Sequence, residues 1–324
     1  MRLQLAVAVV LLACSSCAHH EPTSSVSPGS EGLLYVTSWY GSAITVIDVA
    51  SRRVTATTPV GVQDHNVALN PDQRQAWVTN NNAGTVSVID TATNAVVKTV
   101  QVGTGPRHTY FSPDGAEAYV TNEFDDTVSA IDPASARVLA TIPTGMMPHF
   151  AIVVGDRLFV TNFGGRSVSV IQRSTRKLEA LIAVGAGPLG AGATRDGARV
   201  YVACHNSNAV AVIDAVQMKV IAQIATEAGP VQVTVAPDQK FAYVANDGAG
   251  SVQKIDLATN MIVKTILISP DAGSHGVGFG AGGKLLFITN TGADTISVID
   301  TVTDRIIDTI KVASAPEGVA FKRP

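Results

Sequence analysis

Five of the seven histidines lie beyond residue 20, at His65, His108, His149, His205 and His275. His65, His149 and His275 each stand just ahead of a β-branched run, in three separate parts of the chain. Neutral imidazole is a ligand for borderline metals, so three of them at one point could hold a divalent or copper ion and leave positions open for water or substrate. Glu317 occupies a fourth place of the same kind, where a carboxylate could complete the shell or act as a base, and His108 is a second acid–base candidate. Arg107 holds the corresponding place between two of these histidines and would oppose a cation unless it turns outward. Residues so far apart in sequence can meet only if the chain between them returns repeatedly to one axis.

The chain does repeat. Tyr35-Val36-Thr37-Ser38, Trp77-Val78-Thr79-Asn80, Tyr119-Val120-Thr121-Asn122, Phe159-Val160-Thr161-Asn162, Tyr201-Val202-Ala203-Cys204, Tyr243-Val244-Ala245-Asn246 and Phe287-Ile288-Thr289-Asn290 are seven versions of one motif. A second marker follows in step at Asp48, Asp90, Asp132, Gln172, Asp214, Asp256 and Asp300. Each unit contains four short β-branched runs, as in His108–Phe111, Ala118–Thr121, Thr127–Ile131 and Val138–Ile142, separated by turns such as Ser112-Pro113-Asp114-Gly115. Four strands in about 42 residues is the size of a propeller blade. The described pattern begins at a second strand, Leu33–Thr37, and ends with Pro316–Phe321, which matches a first strand. The expected fold is therefore all-β: a seven-bladed β-propeller over residues 33–322, with four antiparallel strands per blade and the C-terminal strand joining the first blade to close the ring.

These motifs resemble the YVTN-repeat (YncE-like) β-propeller family over about nine-tenths of the chain. The resemblance implies a secreted or cell-surface bacterial or archaeal propeller, similar to those of lactonases and some periplasmic oxidoreductases. It specifies the fold and leaves the function open.

Residues shared by all blades are expected to hold the blade. Asp90, ahead of Thr91-Ala92-Thr93-Asn94, can accept backbone N–H bonds across its turn, and Asn80 or Asn122 can do the same after the second strand. Function should lie where the blades differ. In a four-stranded meander, the loop entering the first strand and the loop joining the second to the third open on one face, around one mouth of the central channel. The first set carries His65, Arg107, His149, Leu189, Val231, His275 and Glu317; the second carries Trp39, Tyr40, Glu123, Phe124, Asp125, Phe163, Arg166, Cys204 and His205. Aromatic anchors beside charges suit a protein or glycan partner. Cys204, where other blades have Asn, is either a soft ligand or reactive thiol, or a small buried residue.

Met1-Arg2 followed by the apolar run to Ala13 reads as a signal peptide over residues 1–13. Leu11-Leu12-Ala13-Cys14 resembles a lipoprotein box, so Cys14 is expected to carry the lipid, with a flexible tether over residues 14–32. The expected address is the periplasm or cell surface. Ser15 after Cys14 resembles the outer-membrane pattern, and the only membrane contact is through the lipid. Forty-six per cent hydrophobic residues and a net charge of -3 exclude a disordered chain and a strongly basic nucleic-acid binder. No nucleophile elbow, phosphate-binding loop or H-E-x-x-H motif occurs. Two functions follow: a binding or scaffold protein presenting the mouth face to a protein, glycan or small ligand, or a metal-dependent enzyme, lactonase- or lyase-like or a copper oxidoreductase, at the His-lined mouth.

Overall fold

The computed structural model describes residues 31–312 and 315–324; the signal peptide, Cys14 and nearly all of the tether lie outside the described residues. Local pattern and observed strands agree closely. In the third unit the strands are Pro106–Phe111, Ala118–Asn122, Thr127–Asp132 and Arg137–Pro143. The seven units fold as seven four-stranded antiparallel sheets of a β-propeller. The first blade is completed by the C-terminal strand Pro316–Lys322, which pairs antiparallel with Leu33–Ser38 in the register Leu34↔Phe321 and Val36↔Val319. Closure leaves no blade short of its innermost strand.

The core lies between blades. The motif aromatics Tyr35, Trp77, Tyr119, Phe159, Tyr201, Tyr243 and Phe287 are all at most 2% exposed. Trp77 of the second blade, for instance, packs with Phe111, Val120 and Ile131 of the third. Each such ring contributes roughly 2–3 kcal/mol through burial. The tyrosines add a polar tie across the seam: Tyr35 Oη donates to Asn94 Oδ1 at 2.7 Å and Tyr201 Oη to Asn260 Oδ1 at 3.0 Å.

The repeat carboxylates act as expected. Asp90 Oδ1 accepts from Ala92 N and Thr93 N, both at 2.9 Å, and these bonds hold its carboxyl below the usual range. The repeat asparagines act partly as expected, Asn122 Oδ1 accepting from Gly103 N at 3.1 Å, and add side-chain ties. Asn80 donates through Nδ2 to Thr85 Oγ1 and Ser87 Oγ at 3.0 Å each, tying the second strand to the third through side chains.

One blade seam departs from the pattern. Lys254, where other blades carry Val or Ala, is buried; its Nζ lies 2.9 Å from Asp304 Oδ1 and 4.3 Å from the centre of the Phe241 ring. Removing the carboxylate strands an ammonium among aromatic rings. Asp304→Ala should therefore lower the unfolding free energy by about 3 kcal/mol, whereas Lys254→Met/Asp304→Asn should recover most of that loss. Denaturant titration of the three proteins checks it; equal midpoints would show that the pair contributes nothing.

Every first strand is bulged near its start. Pairing slips between Asp64 and Val67, between Pro106 and Thr109, and between Pro148 and Phe150, and the other first strands slip at the same place. A bulge puts two successive side chains on one side of the sheet, where a regular strand would alternate them. This irregularity shapes the channel mouth.

Candidate metal centre

The ring residues His65, Arg107, His149, Leu189, Val231, His275 and Glu317 are each the second residue of a first strand, so the topology brings all seven to the axis. The repeat threonines hold them there. Thr37, Thr79, Thr121 and Thr289 donate through Oγ1 to the carbonyls of His65, Arg107, His149 and Glu317 in the next blade, at 2.8, 2.7, 2.8 and 2.6 Å. First strands also approach too closely there for side chains everywhere: a Cβ on Gly276 would lie 2.2 Å from the Glu317 carbonyl oxygen.

At the mouth, the His65 ring lies 5.2 Å from His108 and 5.7 Å from His149, which are themselves 4.9 Å apart, centre to centre. One nitrogen from each of these three histidines lies within 4.8 Å of the others. The expected set was His65, His149 and His275. The structure instead brings His108 into the close group and leaves His275 half-buried, with its ring 6.5 Å from His65. The bulge lets the third residue of a first strand line the cavity as well as the second; in the third blade His108 does so and Arg107 does not. Arg107 is paired with buried Glu123, and its guanidinium lies 5.4 Å from the Trp39 ring centre. Its charge is thereby paired, yet it stays close enough to disfavour protonation of all four imidazoles.

Glu317 lies beside the trio, with Oε2 3.4 Å from His65 Nε2, an ion-pair distance without hydrogen-bond alignment. The Nδ1 atoms of His65, His108 and His149 are buried and have no hydrogen-bond partner. Burial lowers all four imidazoles: His108 to about 3, His275 to about 4, and His65 and His149 well below the ordinary value. It also raises Glu317 to about 8 and Asp64 to about 6. The mouth therefore presents neutral nitrogen lone pairs near neutral pH. The four histidines and Glu317 line a cavity of about 190 Å³ whose wall also includes Asn66, Phe150, Val231 and Gln232.

The remaining candidates separate into rim and core. Tyr40 and Phe124 are exposed at 79% and 60%; Trp39 and Phe163 are half-buried, Trp39 with its ring 5.5 Å from His65. Asp125 and Arg166 are exposed, and Asp125 Oδ2 accepts from Thr104 N at 2.6 Å. His205 is half-exposed, with Nδ1 2.9 Å from Asn206 Oδ1, and is not part of the cavity wall. Cys204 is not on the face at all. It is buried in the core between the fourth and fifth blades, its Sγ 3.6 Å from the Val202 carbonyl oxygen, and burial raises its thiol. That is the environment of an inert thiol.

No curated protein sequence matches the chain. Among solved structures, a functionally unknown protein from Desulfotomaculum acetoxidans is 16% identical with a TM-score of 0.79, covering 90% of this chain and 99% of that one. Hydrazine synthase from Kuenenia stuttgartiensis is 19% identical with a TM-score of 0.72, covering 79% and 89%. The dihydro-heme d1 dehydrogenase NirN in complex with DHE is 16% identical with a TM-score of 0.69, covering 91% and 76%. At such identities the likeness is one of fold. The cytochrome D1 heme domain family model matches residues 160–323, and the model of the seven-bladed β-propeller lactonases matches residues 11–219. With that match spanning well over half of its length and seven closed blades in the structure, the chain belongs to the seven-bladed β-propeller lactonase family.

Proposed function

We propose that this protein is an extracytoplasmic propeller, lipid-anchored at Cys14, that binds one transition-metal ion at its channel mouth through His65, His108 and His149. The observation that carries the reading is the trio itself: three neutral imidazoles with nitrogens within 4.8 Å of one another and buried Nδ1 atoms that nothing in the protein satisfies. A buried polar atom without a partner costs about 1–3 kcal/mol, and three such atoms on the clustered histidines favour a ligand that engages their rings. Donors of one tetrahedral ion held at about 2.0–2.1 Å lie about 3.3 Å apart, so small side-chain rotations would bring the trio to bonding distance. Glu317 is the carboxylate within reach, and a bound cation would oppose the proton that burial otherwise keeps on it.

A cavity of about 190 Å³ is smaller than the roughly 300–1,000 Å³ pockets that enclose drug-sized ligands, and suits an ion with water or a small substrate. Such an ion supplies a Lewis acid or an electron-transfer centre, the chemistry of the lactonase-like and copper-oxidoreductase alternatives. The exposed Tyr40 and Phe124 favour a second reading of the same face, as a docking rim for a protein or glycan.

The test is metal analysis of the full-length chain purified without a polyhistidine tag, followed by Co²⁺ titration. The reading expects about one equivalent of a first-row metal and a tetrahedral or five-coordinate Co²⁺ spectrum. Absence of both, from a folded protein, would overturn it.

A further inference from the structure

The threonine of the repeat motif, which looks purely architectural because five of seven blades carry it, touches the donor residues of this centre on both sides. Thr121 Oγ1 accepts from His108 N at 3.1 Å and donates to the His149 carbonyl at 2.8 Å. One buried hydroxyl thus joins the backbones of two of the three clustered histidines, which belong to adjacent blades. Thr37 makes the same clasp one step around the ring. It donates to the His65 carbonyl at 2.8 Å and accepts at 2.8 Å from Gly318 N, the residue after Glu317. Where the motif has Ala instead, at Ala203 and Ala245, the next-blade ring residues are Val231 and His275. His275 is held on one side only, where Gly276 N donates to Thr289 Oγ1 at 2.7 Å, and its carbonyl faces Ala245 rather than a threonine; it is also the ring histidine outside the close trio.

We propose that Thr121 and Thr37 are positioning residues for the channel-mouth metal centre, setting the spacing of His108 to His149 and of His65 to Glu317. The inference rests on the metal-binding reading above. Outer contacts that orient ligands typically matter about 10–100-fold in metal affinity, and a backbone clasp moves the whole ligand rather than its ring alone.

Alanine is the informative substitution, because the fifth and sixth blades carry it and keep the same strand pairing. Thr121→Ala and Thr37→Ala should fold, weaken Co²⁺ binding by at least about tenfold and alter the Co²⁺ visible spectrum, whereas Thr121→Ser should restore both. Ser297→Ala is the control: it deletes another buried hydroxyl, which accepts from Asn290 Nδ2 at 2.9 Å, and touches no donor. It should lose comparable thermal stability with unchanged affinity and spectrum. Thr121→Ala with wild-type affinity and spectrum would overturn the proposal, as would an equal loss in Ser297→Ala. If Thr121→Ala fails to fold, Thr37→Ala and Thr121→Ser decide the matter by the same readouts. Failure of the wild-type chain to bind Co²⁺ would instead remove the metal reading itself.

Discussion

Changing His108 to Ala will weaken binding of a first-row divalent ion by roughly 100-fold or more, while His275→Ala will weaken it by less than about tenfold. The contrast follows from distance. His108 has a nitrogen within 4.8 Å of those of both His65 and His149, whereas the His275 ring lies 6.5 Å from His65 and outside that group. Structural zinc sites gain apparent free energies of about 10–16 kcal/mol from four ligands, on the order of 3 kcal/mol each, and 3 kcal/mol is roughly two decades in affinity. His275 can influence the ion only through solvation and long-range charge, which the partly open mouth screens. Competition titration of the two variants and the wild type decides the matter. A larger loss for His275→Ala would restore the set His65, His149 and His275 and remove His108 from the centre. Folding is not in question for His108→Ala, because other blades carry Asn66, Gly190 and Gly276 at the same place.

The difference between those two histidine sets marks where reading the chain as regular strands stops working. Ring closure, blade number and the gathering of His65, His149 and Glu317 on one face follow from repeats kept in step, which depend only on spacing. Period-2 alternation, by contrast, assigns Arg107 and His108 to opposite sides of a strand, so only one of them can face the axis. The bulge cancels that alternation, and its trace in the chain is slight: two successive polar residues after Pro106, where a regular inner strand would have to bury one in the seam. Arg107 stays off the cavity wall because Glu123 and Trp39, on loops of two different blades, receive it together. That pairing is tertiary and has no local signature. Cys204 stands where five other blades place an Asn, and the chain leaves open a soft ligand, a reactive thiol or a small buried residue there. Its side chain fills the core between two blades, as a small soft residue does when the Asn tie is dispensed with.

Ending the chain after residue 315, which deletes the strand Pro316–Lys322, should abolish cooperative folding rather than merely weaken it. That strand is the inner edge of the first blade and hydrogen-bonds the end of the ring to its beginning, alongside the apolar seam between the seventh and first blades. Its loss leaves Leu33–Ser38 as an unpaired apolar edge whose Leu34, Tyr35 and Val36 are otherwise at most 3% exposed. It also removes Phe321, which stacks on Phe287 of the seventh blade at 6.2 Å with 14° between the rings. The burial and ladder bonds lost at two seams together are comparable with the roughly 5–15 kcal/mol that keeps a whole domain folded. The exposed edge would then pair with other chains. Expression should yield aggregated protein, or soluble protein without a sharp thermal transition, and co-expression of residues 315–324 as a separate peptide should rescue it by strand addition. Glu317→Gln keeps the strand and its backbone bonds, including the 2.6 Å bond from Thr289 Oγ1 to the Glu317 carbonyl, and should melt cooperatively. Its defect should be confined to the metal. A truncated chain melting at the wild-type midpoint would mean that six blades and a three-stranded first blade hold together without the closing strand.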